Sequence, residues 1–179
     1  MKAWMTIRYL TGYLAAVLMF IILIPGALYL IAGFEAGFLR AKINISLTVR
    51  IIISVPVLVT GLVFAFWSNL DLLRIGKGGP TDAFGVAVTP RTKNLVVRGP
   101  YRYTRNPMVF GALACYFAEV IYLSSWLGIG VMILFSILAV PYIKTFEERR
   151  LLKDFGEEYE NYRKRVSMII PWPFKSFGK

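Results

Sequence analysis

Four long apolar runs, separated by polar segments, dominate the pattern of this chain. They cover about residues 10–32, 47–69, 107–122 and 126–143. A stretch of about twenty apolar residues is long enough to cross the hydrocarbon core of a bilayer as a helix. The short segment between the last two runs leaves room only for a tight hairpin. The pattern therefore predicts an all-α, polytopic membrane bundle of about four transmembrane helices, which forms a single domain over residues 1–179.

Three residues inside the apolar runs change this simple picture. Pro25, next to Gly26, predicts a kink in the first span. Pro56 is tolerated in the second span because neighbouring helices or waters can satisfy the carbonyl that it frees. Glu119 falls in the third span, where an acid is costly and is expected to face the bundle or to have a function. The alternative is that Glu119 lies near the interface, beside the hairpin.

A second apolar pattern appears after the fourth run, where the chain becomes charged. Apolar residues recur there at steps of three and four: Leu151, Leu152, Phe155, Tyr159, Tyr162 and Val166. They form one face of a helix that carries Lys, Arg and Glu on the other face. The pattern predicts an amphipathic C-terminal helix over about residues 145–165, bent at Gly156. Such a helix lies either on the membrane surface or under the bundle.

The longest polar segment, residues 71–105, leads into the third span through an unusual stretch. Arg98–Pro107 contains three arginines, two tyrosines, two prolines and a glycine. Asn106 is a favourable N-cap type, and Pro107 suits the first position of a helix. A helix start with free backbone N–H groups, basic side chains and aromatic faces can hold a polar ligand. The alternative is that this basic loop serves only as a topology signal.

Composition and charge narrow the classes of function. The chain is 57% hydrophobic, and its net charge is +11. Because the cations cluster beside apolar runs, anionic lipid headgroups are expected as partners rather than nucleic acid. The chain has no histidine and a single cysteine, Cys115. These counts exclude histidine-based catalysis and an intrachain disulfide, and we expect no metal site.

The distribution of Lys and Arg predicts the orientation. Eighteen of the 21 lie in the N-terminal leader, the central polar segment and the C-terminal tail. The other three are Arg40, Lys42 and Arg50. Positively charged loops stay in the cytoplasm. We therefore expect both termini and the loop over residues 71–105 to be cytoplasmic, so that the loop and the tail meet on one face of the bundle.

Two motifs carry a resemblance to a known family. The first reads Leu95-Val96-Val97-Arg98-Gly99-Pro100-Tyr101, followed by Arg105-Asn106-Pro107-Met108 and Gly111. The second reads Glu147-Glu148, Phe155-Gly156, Tyr159, Tyr162 and Pro171. Together they resemble the isoprenylcysteine carboxyl methyltransferase and phospholipid methyltransferase group of integral membrane enzymes. The resemblance covers about Leu95 to Pro171, nearly half of the chain.

The resemblance implies S-adenosylmethionine as cofactor, held between the loop and the tail on the cytoplasmic face. The methyl acceptor would be a lipophilic small molecule or a lipid. Cofactor-binding candidates on this view are Lys93, Leu95, Val96, Tyr101, Arg105, Asn106, Pro107, Met108, Glu147 and Glu148. The family pattern places the cofactor contact on Glu147, and the alternative for Glu148 is a salt bridge to Arg102 or Arg105. Both glutamates are also the catalytic candidates.

The chain departs from the family pattern at three places. Asn106 stands where the family has a histidine, and Val109 stands where it has a tyrosine. The family's substrate-contacting arginine has no counterpart, and Ile143 lies near that place. Asn106 can still donate and accept hydrogen bonds, but it cannot act as a base. An amine or hydroxyl acceptor would therefore need Glu147, Glu148 or a tyrosine as base, whereas a carboxylate acceptor needs none.

Two other functions remain open at this point. The tail region of the chain also resembles that of membrane sterol reductases, which use NADPH. The phosphates of NADPH would suit the arginines and lysines of the central loop. A non-catalytic membrane scaffold or accessory protein with the same fold is the second alternative. Binding of S-adenosylmethionine or of NADPH distinguishes them, and the methyltransferase is the function that we expect.

Overall fold

The structure, a computed structural model, describes residues 2–78, 82–83, 86–87 and 92–172. Four helical rods make up almost all of it. The first contains α1 (Lys2–Val17), a π-helical turn (Leu18–Leu23), α2 (Ile24–Phe34) and a second π-helical turn (Glu35–Leu39). The second contains α3 (Leu47–Asp71) and a π-helical turn (Leu72–Gly76). The third is α4 (Pro107–Leu123), and the fourth contains α5 (Trp126–Tyr142), a π-helical turn (Ile143–Glu148) and α6 (Arg149–Arg165).

Two short elements lie between the second and third rods. The two-residue strands β1 (Asp82–Ala83) and β2 (Val86–Ala87) pair in antiparallel fashion. A 3₁₀ turn over Gly99–Arg102 precedes α4. The fold is therefore all-α, as the sequence predicts.

Three of the rods are long and apolar enough to span a membrane: Leu10–Leu39, Leu47–Gly76 and Trp126–Arg165. The fourth apolar helix, Pro107–Leu123, is shorter, with 17 residues. At 1.5 Å per residue it is about 25 Å long. The three long rods expose most of their large apolar side chains, whereas the short helix buries seven of its residues. This arrangement confirms an integral membrane bundle, with α4 at its centre.

Small residues of α3 and α4 meet where these two helices cross. A Cβ on Gly61 would lie 2.7 Å from the carbonyl oxygen of Gly111 and 2.7 Å from Cys115 Sγ. A Cβ on Gly111 would in turn lie 2.8 Å from the backbone nitrogen of Ala65. Small residues four apart allow membrane helices to approach closely enough for backbone packing. Glycine at 61 and 111 therefore sets how closely these two spans approach.

A π-helical turn, Leu18–Leu23, precedes Pro25, where the sequence predicts a kink, and the bundle compensates for the lost hydrogen bond. Ile24 N–H donates to the Met19 carbonyl, which is the π register. In that register the next donor would belong to Pro25, which has no N–H. The carbonyl of Phe20 therefore lacks a partner within its helix, and the Tyr116 hydroxyl of α4 donates to it over 2.9 Å. A neighbouring span thus donates the hydrogen bond that this carbonyl needs, because lipid chains have no donor to offer.

The first rod continues beyond the predicted end at residue 32, as far as Leu39. Glu35, which the pattern had assigned to a polar connector, is buried inside this extension. Its carboxylate accepts hydrogen bonds from the Ser125 hydroxyl and from the backbone N–H groups of Trp126 and Leu127, over 3.0 and 3.2 Å for the latter two. A carboxylate at a helix N-terminus is stabilised by the free N–H groups there. A tertiary contact, which sequence pattern does not report, therefore sets the end of this helix.

The second rod likewise continues past the predicted end at residue 69, to Gly76. Residues 71–76 are therefore helical and not part of the loop. The loop returns to this helix end, because the backbone N–H of Lys93 donates to the Gly76 carbonyl over 2.7 Å and Asn94 Nδ2 donates to the Ile75 carbonyl over 2.9 Å.

The fourth rod joins two elements that the sequence pattern predicts as separate. The fourth span continues into the amphipathic helix without a loop, through the π-helical turn Ile143–Glu148. The predicted bend at Gly156 is present, with φ 53° and ψ −126°. This backbone region strongly favours glycine because it has no Cβ. The predicted hairpin is also present: α4 ends at Leu123, and Ser124 takes a left-handed conformation.

Candidate functional site

The loop before α4 is pressed against the end of α3. Gly99 has φ +57°, and a Cβ there would overlap the carboxylate of Asp71 and lie 2.9 Å from Trp67 Nε1. The position therefore requires glycine both for its backbone conformation and for space. This contact holds the 3₁₀ turn with Tyr101 against the end of α3.

Hydrogen bonds join the other side of the loop to the C-terminal tail. Arg105 N–H donates to the Ser167 carbonyl over 2.9 Å, and the Thr104 hydroxyl donates to the Met168 carbonyl over 3.0 Å. The Tyr162 hydroxyl donates to the Tyr101 carbonyl over 2.7 Å. The backbone N–H of Trp172 donates to the Tyr103 carbonyl over 3.1 Å. The loop and the tail, which carry the two sequence motifs, therefore form one structural unit.

Apolar packing supports the same contact. Tyr159, Tyr162 and Val166 form a buried cluster, and Leu95 and Val97 of the loop pack against it. The apolar face of α6 thus lies against the loop at the end of the bundle. Of the two positions that the sequence allows for this helix, the structure shows the one under the bundle.

Glu148 lies at this junction in an ion pair. Its carboxylate Oε1 is 2.8 Å from Arg105 Nη1, and its Oε2 is 3.7 Å from Arg163 Nη1. The side chains of Arg105 and Glu148 are only 9% and 7% exposed. The salt bridge that the sequence offered as the alternative role of Glu148 is therefore present, with Arg105 as its partner.

The buried ion pair leaves hydrogen-bonding capacity unused. Among the residues that the structure describes, Arg105 Nε and Nη1 donate no hydrogen bond, and Glu148 Oε1 accepts none. Nη1 and Oε1 lie close, so their attraction is electrostatic without hydrogen-bond geometry. Buried donors without a partner cost about 1–3 kcal/mol each. Arg105 Nε is thus available to a further acceptor, whereas Nη1 faces the Glu148 carboxylate.

Glu147, the neighbouring glutamate, has a different environment. It is partly buried, and no ion pair or hydrogen bond to its carboxylate occurs within the described ranges. Burial raises the pKa of Glu147 to about 7, and the negative charge of Glu148 adds to this effect. Desolvation and a like charge both disfavour the ionised form. Glu147 is therefore an acid that would gain from a cationic partner.

Tyr101 connects these groups electrostatically. Burial raises the pKa of Tyr101 well above its usual value, and the neighbouring Tyr162, Glu147 and Asp71 raise it further, in that order. Two carboxylates from different elements therefore act on one tyrosine. Tyr101 remains a neutral hydroxyl at physiological pH, available as a hydrogen-bond donor.

The predicted cofactor-binding residues differ in how deeply they are placed. Val96, Tyr101, Pro107 and Glu148 are buried. Leu95, Arg105, Asn106, Met108 and Glu147 are half-buried in this junction, and Lys93 is exposed. The structure brings Arg105 to Glu148 and places Tyr101 within the electrostatic influence of Glu147, while Lys93 stays with the end of the second rod.

Asn106 has the predicted position at the start of α4 but not the predicted capping role. Its side chain makes no cap hydrogen bond to the helix. Instead, Nδ2 donates to the Met168 carbonyl over 2.9 Å, so the side chain holds the tail against the loop. The Asn106 backbone N–H donates to the Thr104 hydroxyl over 3.3 Å. The Thr104 hydroxyl thus accepts from Asn106 and donates to the Met168 carbonyl. Thr104 is fully buried, and the sequence analysis did not identify it as a candidate.

Asp71 was also missed from the sequence as a site residue. It had been placed only as the first residue of the polar segment. A usable signal existed, since Asp71 is the sole acid between Glu35 and Asp82 and directly follows an apolar run. In the described part of the chain, no cluster of three or more His, Cys, Asp or Glu residues is suited to a metal ion.

Several known proteins are similar to part of this chain. The chain is similar to methanethiol S-methyltransferase of Mycobacterium tuberculosis, with 37% identity over 78 residues that cover 42% of this chain and 30% of that protein. It is similar to methanethiol S-methyltransferase 1 of Bradyrhizobium diazoefficiens, with 34% identity over 89 residues, or 48% and 28% of the two chains. For methanethiol S-methyltransferase of Pseudomonas deceptionensis the identity is 32% over 111 residues, or 60% and 36%. No solved structure matches.

The matched region is about a third of the length of these curated relatives. The model of the phospholipid methyltransferase family matches residues 49–158, which is more than half of the chain. This region includes the α3–α4 crossing, the loop with Gly99, Tyr101 and Arg105, and the two glutamates. The protein therefore belongs to the phospholipid methyltransferase family of membrane methyltransferases.

Proposed function

We propose that this protein transfers a methyl group from S-adenosylmethionine to a small apolar or lipophilic acceptor at the cytoplasmic face of the membrane. The observation that carries the proposal is the buried Arg105 Nε, which lacks a hydrogen bond, together with the half-buried Glu147 in the same junction of loop and tail. A buried donor without a hydrogen bond and a carboxyl group without a partner suit a zwitterionic ligand.

The residues fit the amino-acid end of S-adenosylmethionine. Arg105 Nε would donate a charge-assisted hydrogen bond to its carboxylate. Glu147 would hold its ammonium, and the proton that burial keeps on Glu147 would leave as the cation binds, because a nearby positive charge favours the ionised acid. Glu148 would keep Arg105 in place.

The remaining candidates would surround the rest of the ligand. Val96 and Pro107 are buried, and Leu95 and Met108 are half-buried, so these side chains would exclude water from the reacting atoms. Exclusion of water and close alignment lower the barrier of a displacement reaction. Asn106 would position the tail over the site through Met168, and Lys93 would lie at the exposed rim. When bound, S-adenosylmethionine supplies an electrophilic methyl group on a positively charged sulfur.

The relatives indicate which acceptor to examine first. Three of them are named as methyltransferases of methanethiol. We therefore propose a small apolar thiol as the first acceptor class. Such a molecule partitions into the bilayer and reaches the site from the lipid side, which agrees with the exposed apolar faces of the three long rods.

The direct test is methyl transfer by the purified protein in lipid vesicles. Methyl-labelled S-adenosylmethionine and a short alkanethiol are incubated with the parent and with Glu147→Gln. We expect labelled thioether from the parent and little from the variant. Binding of NADPH, together with no binding of S-adenosylmethionine to the parent, would instead support a reductase, and binding of neither would support the accessory protein.

A further inference from the structure

A second carboxylate near the site, Asp71, has no ion-pair partner among the residues that the structure describes. It is half-buried at the end of α3. Within the described residues no ion pair or hydrogen bond to Asp71 is present, although the chain carries a net charge of +11. Glu148, by contrast, has two arginine partners. Within the described part of this basic chain, Asp71 thus differs from Glu148 in lacking a cationic partner.

The loop fixes Asp71 in this place. The backbone of Gly99 presses on its carboxylate, with φ +57° and no space for a Cβ. Trp67, one turn earlier on the same helix, borders the same position. Both Asp71 and Glu147 raise the pKa of the Tyr101 hydroxyl, so both charges act on the same place. Asp71 thus adds a negative charge to the site from α3, whereas the other charged site residues belong to the loop and the tail.

We propose that Asp71 faces the sulfonium of S-adenosylmethionine, while Glu147 faces its ammonium. This inference rests on the proposed function. The ammonium and the carboxylate of the ligand are attached to one carbon, so Arg105 and Glu147 together locate its amino-acid end beside the tail. The second positive charge is then left for the carboxylate of a different element, and Asp71 lies at the end of α3, against Gly99 of the loop.

This arrangement has a consequence for turnover. After transfer, the sulfur of S-adenosylhomocysteine is neutral, and the ammonium is unchanged. The attraction between Asp71 and the sulfur is lost, while that between Glu147 and the ammonium remains. Asp71 therefore favours the substrate form of the cofactor over the product form and assists exchange of the two.

The test compares binding of S-adenosylmethionine and S-adenosylhomocysteine to four detergent-solubilised proteins. These are the parent, Asp71→Asn, Glu147→Gln and Glu157→Gln, an exposed acid on the tail that serves as matched control. We expect Asp71→Asn to weaken S-adenosylmethionine binding about tenfold, as loss of one partly screened charge pair predicts. Its affinity for S-adenosylhomocysteine should stay nearly unchanged. Glu147→Gln should weaken both ligands by similar factors, and Glu157→Gln should weaken neither.

Each result decides the inference. Equal weakening of both ligands by Asp71→Asn, or no change in either, would overturn the assignment of Asp71. A parent that binds neither ligand would refute the proposed function itself. Thermal unfolding monitors the folded state of each variant, and Asp71→Ser repeats the comparison with a smaller side chain that also removes the charge.

Discussion

At the scale of single residues, two adjacent glutamates show how environment separates roles. Glu147 and Glu148 share one backbone turn, but neighbours on a helix point about 100° apart. Glu148 is directed toward Arg105 and is ion-paired. Glu147 has a pKa raised to about 7, mainly by burial. The motif identifies the pair, and only the packing of the tail distinguishes its members.

Replacement of Glu147 should have a pH-dependent effect on stability without ligand. The pKa of Glu147 is higher in the folded state than in the unfolded state, so the folded protein favours the neutral carboxyl group. The stabilising contribution of this neutral group to the free energy of unfolding is complete below about pH 4.5 and is lost as the pH rises through about 7. At pH 8 the ionised group is destabilising. Glu147→Gln should therefore raise the free energy of unfolding by about 1–3 kcal/mol at pH 8 and by little at pH 5.

Unfolding in detergent at the two pH values measures this effect. The exposed Glu157→Gln variant, which should show no such difference, is the control. A stability gain for Glu147→Gln that is the same at pH 5 and pH 8 would contradict the account of this residue.

At the scale of elements, the bundle depends on one close crossing. The backbones of α3 and α4 meet at Gly61 and Gly111. α4 also carries Pro107 and follows directly from the loop, so the crossing determines where the site lies relative to the second rod. A side chain at the crossing would separate the two helices that hold Asp71 and Asn106.

Gly61→Leu should lower the free energy of unfolding by at least about 2 kcal/mol, because its side chain would overlap backbone atoms of α4. Gly130→Leu is the matched control, since it is also a helical glycine in a span but has no neighbour within 4 Å of its Cβ position. Chemical denaturation of both variants in detergent measures the difference. Equal stability of the two variants would refute the importance of the crossing.

The sequence predicts these elements well but not their ends. Apolar periodicity locates the four spans, the hairpin and the bend at Gly156, because each is a local property of the chain. The ends at Leu39 and Gly76 depend on contacts with Ser125 and Lys93, which are distant in sequence. The two site motifs were recognisable because each is local in the sequence. Asp71 was not, because its role depends on the contact with Gly99, which is distant in sequence.

At the scale of the whole molecule, the loop and the tail meet at one end of the bundle. Their hydrogen bonds and shared apolar cluster place both on the same side of the membrane. The excess of Lys and Arg in these segments predicts that this side is the cytoplasm. We therefore expect a reporter fused after Lys179 to be cytoplasmic and a reporter inserted at Lys42 to lie on the opposite side. A C-terminal reporter outside the cytoplasm would contradict the proposed location of the site.

The central claim is that S-adenosylmethionine binds where the loop meets the tail. Calorimetric titration of this ligand into the detergent-solubilised parent and Glu147→Gln at pH 7.5 tests it most directly. We expect saturable binding to the parent and affinity at least about tenfold weaker in the variant, because a buried charged partner is lost while the fold is kept. Equal affinity of the two proteins, or no binding to the folded parent, would contradict the claim.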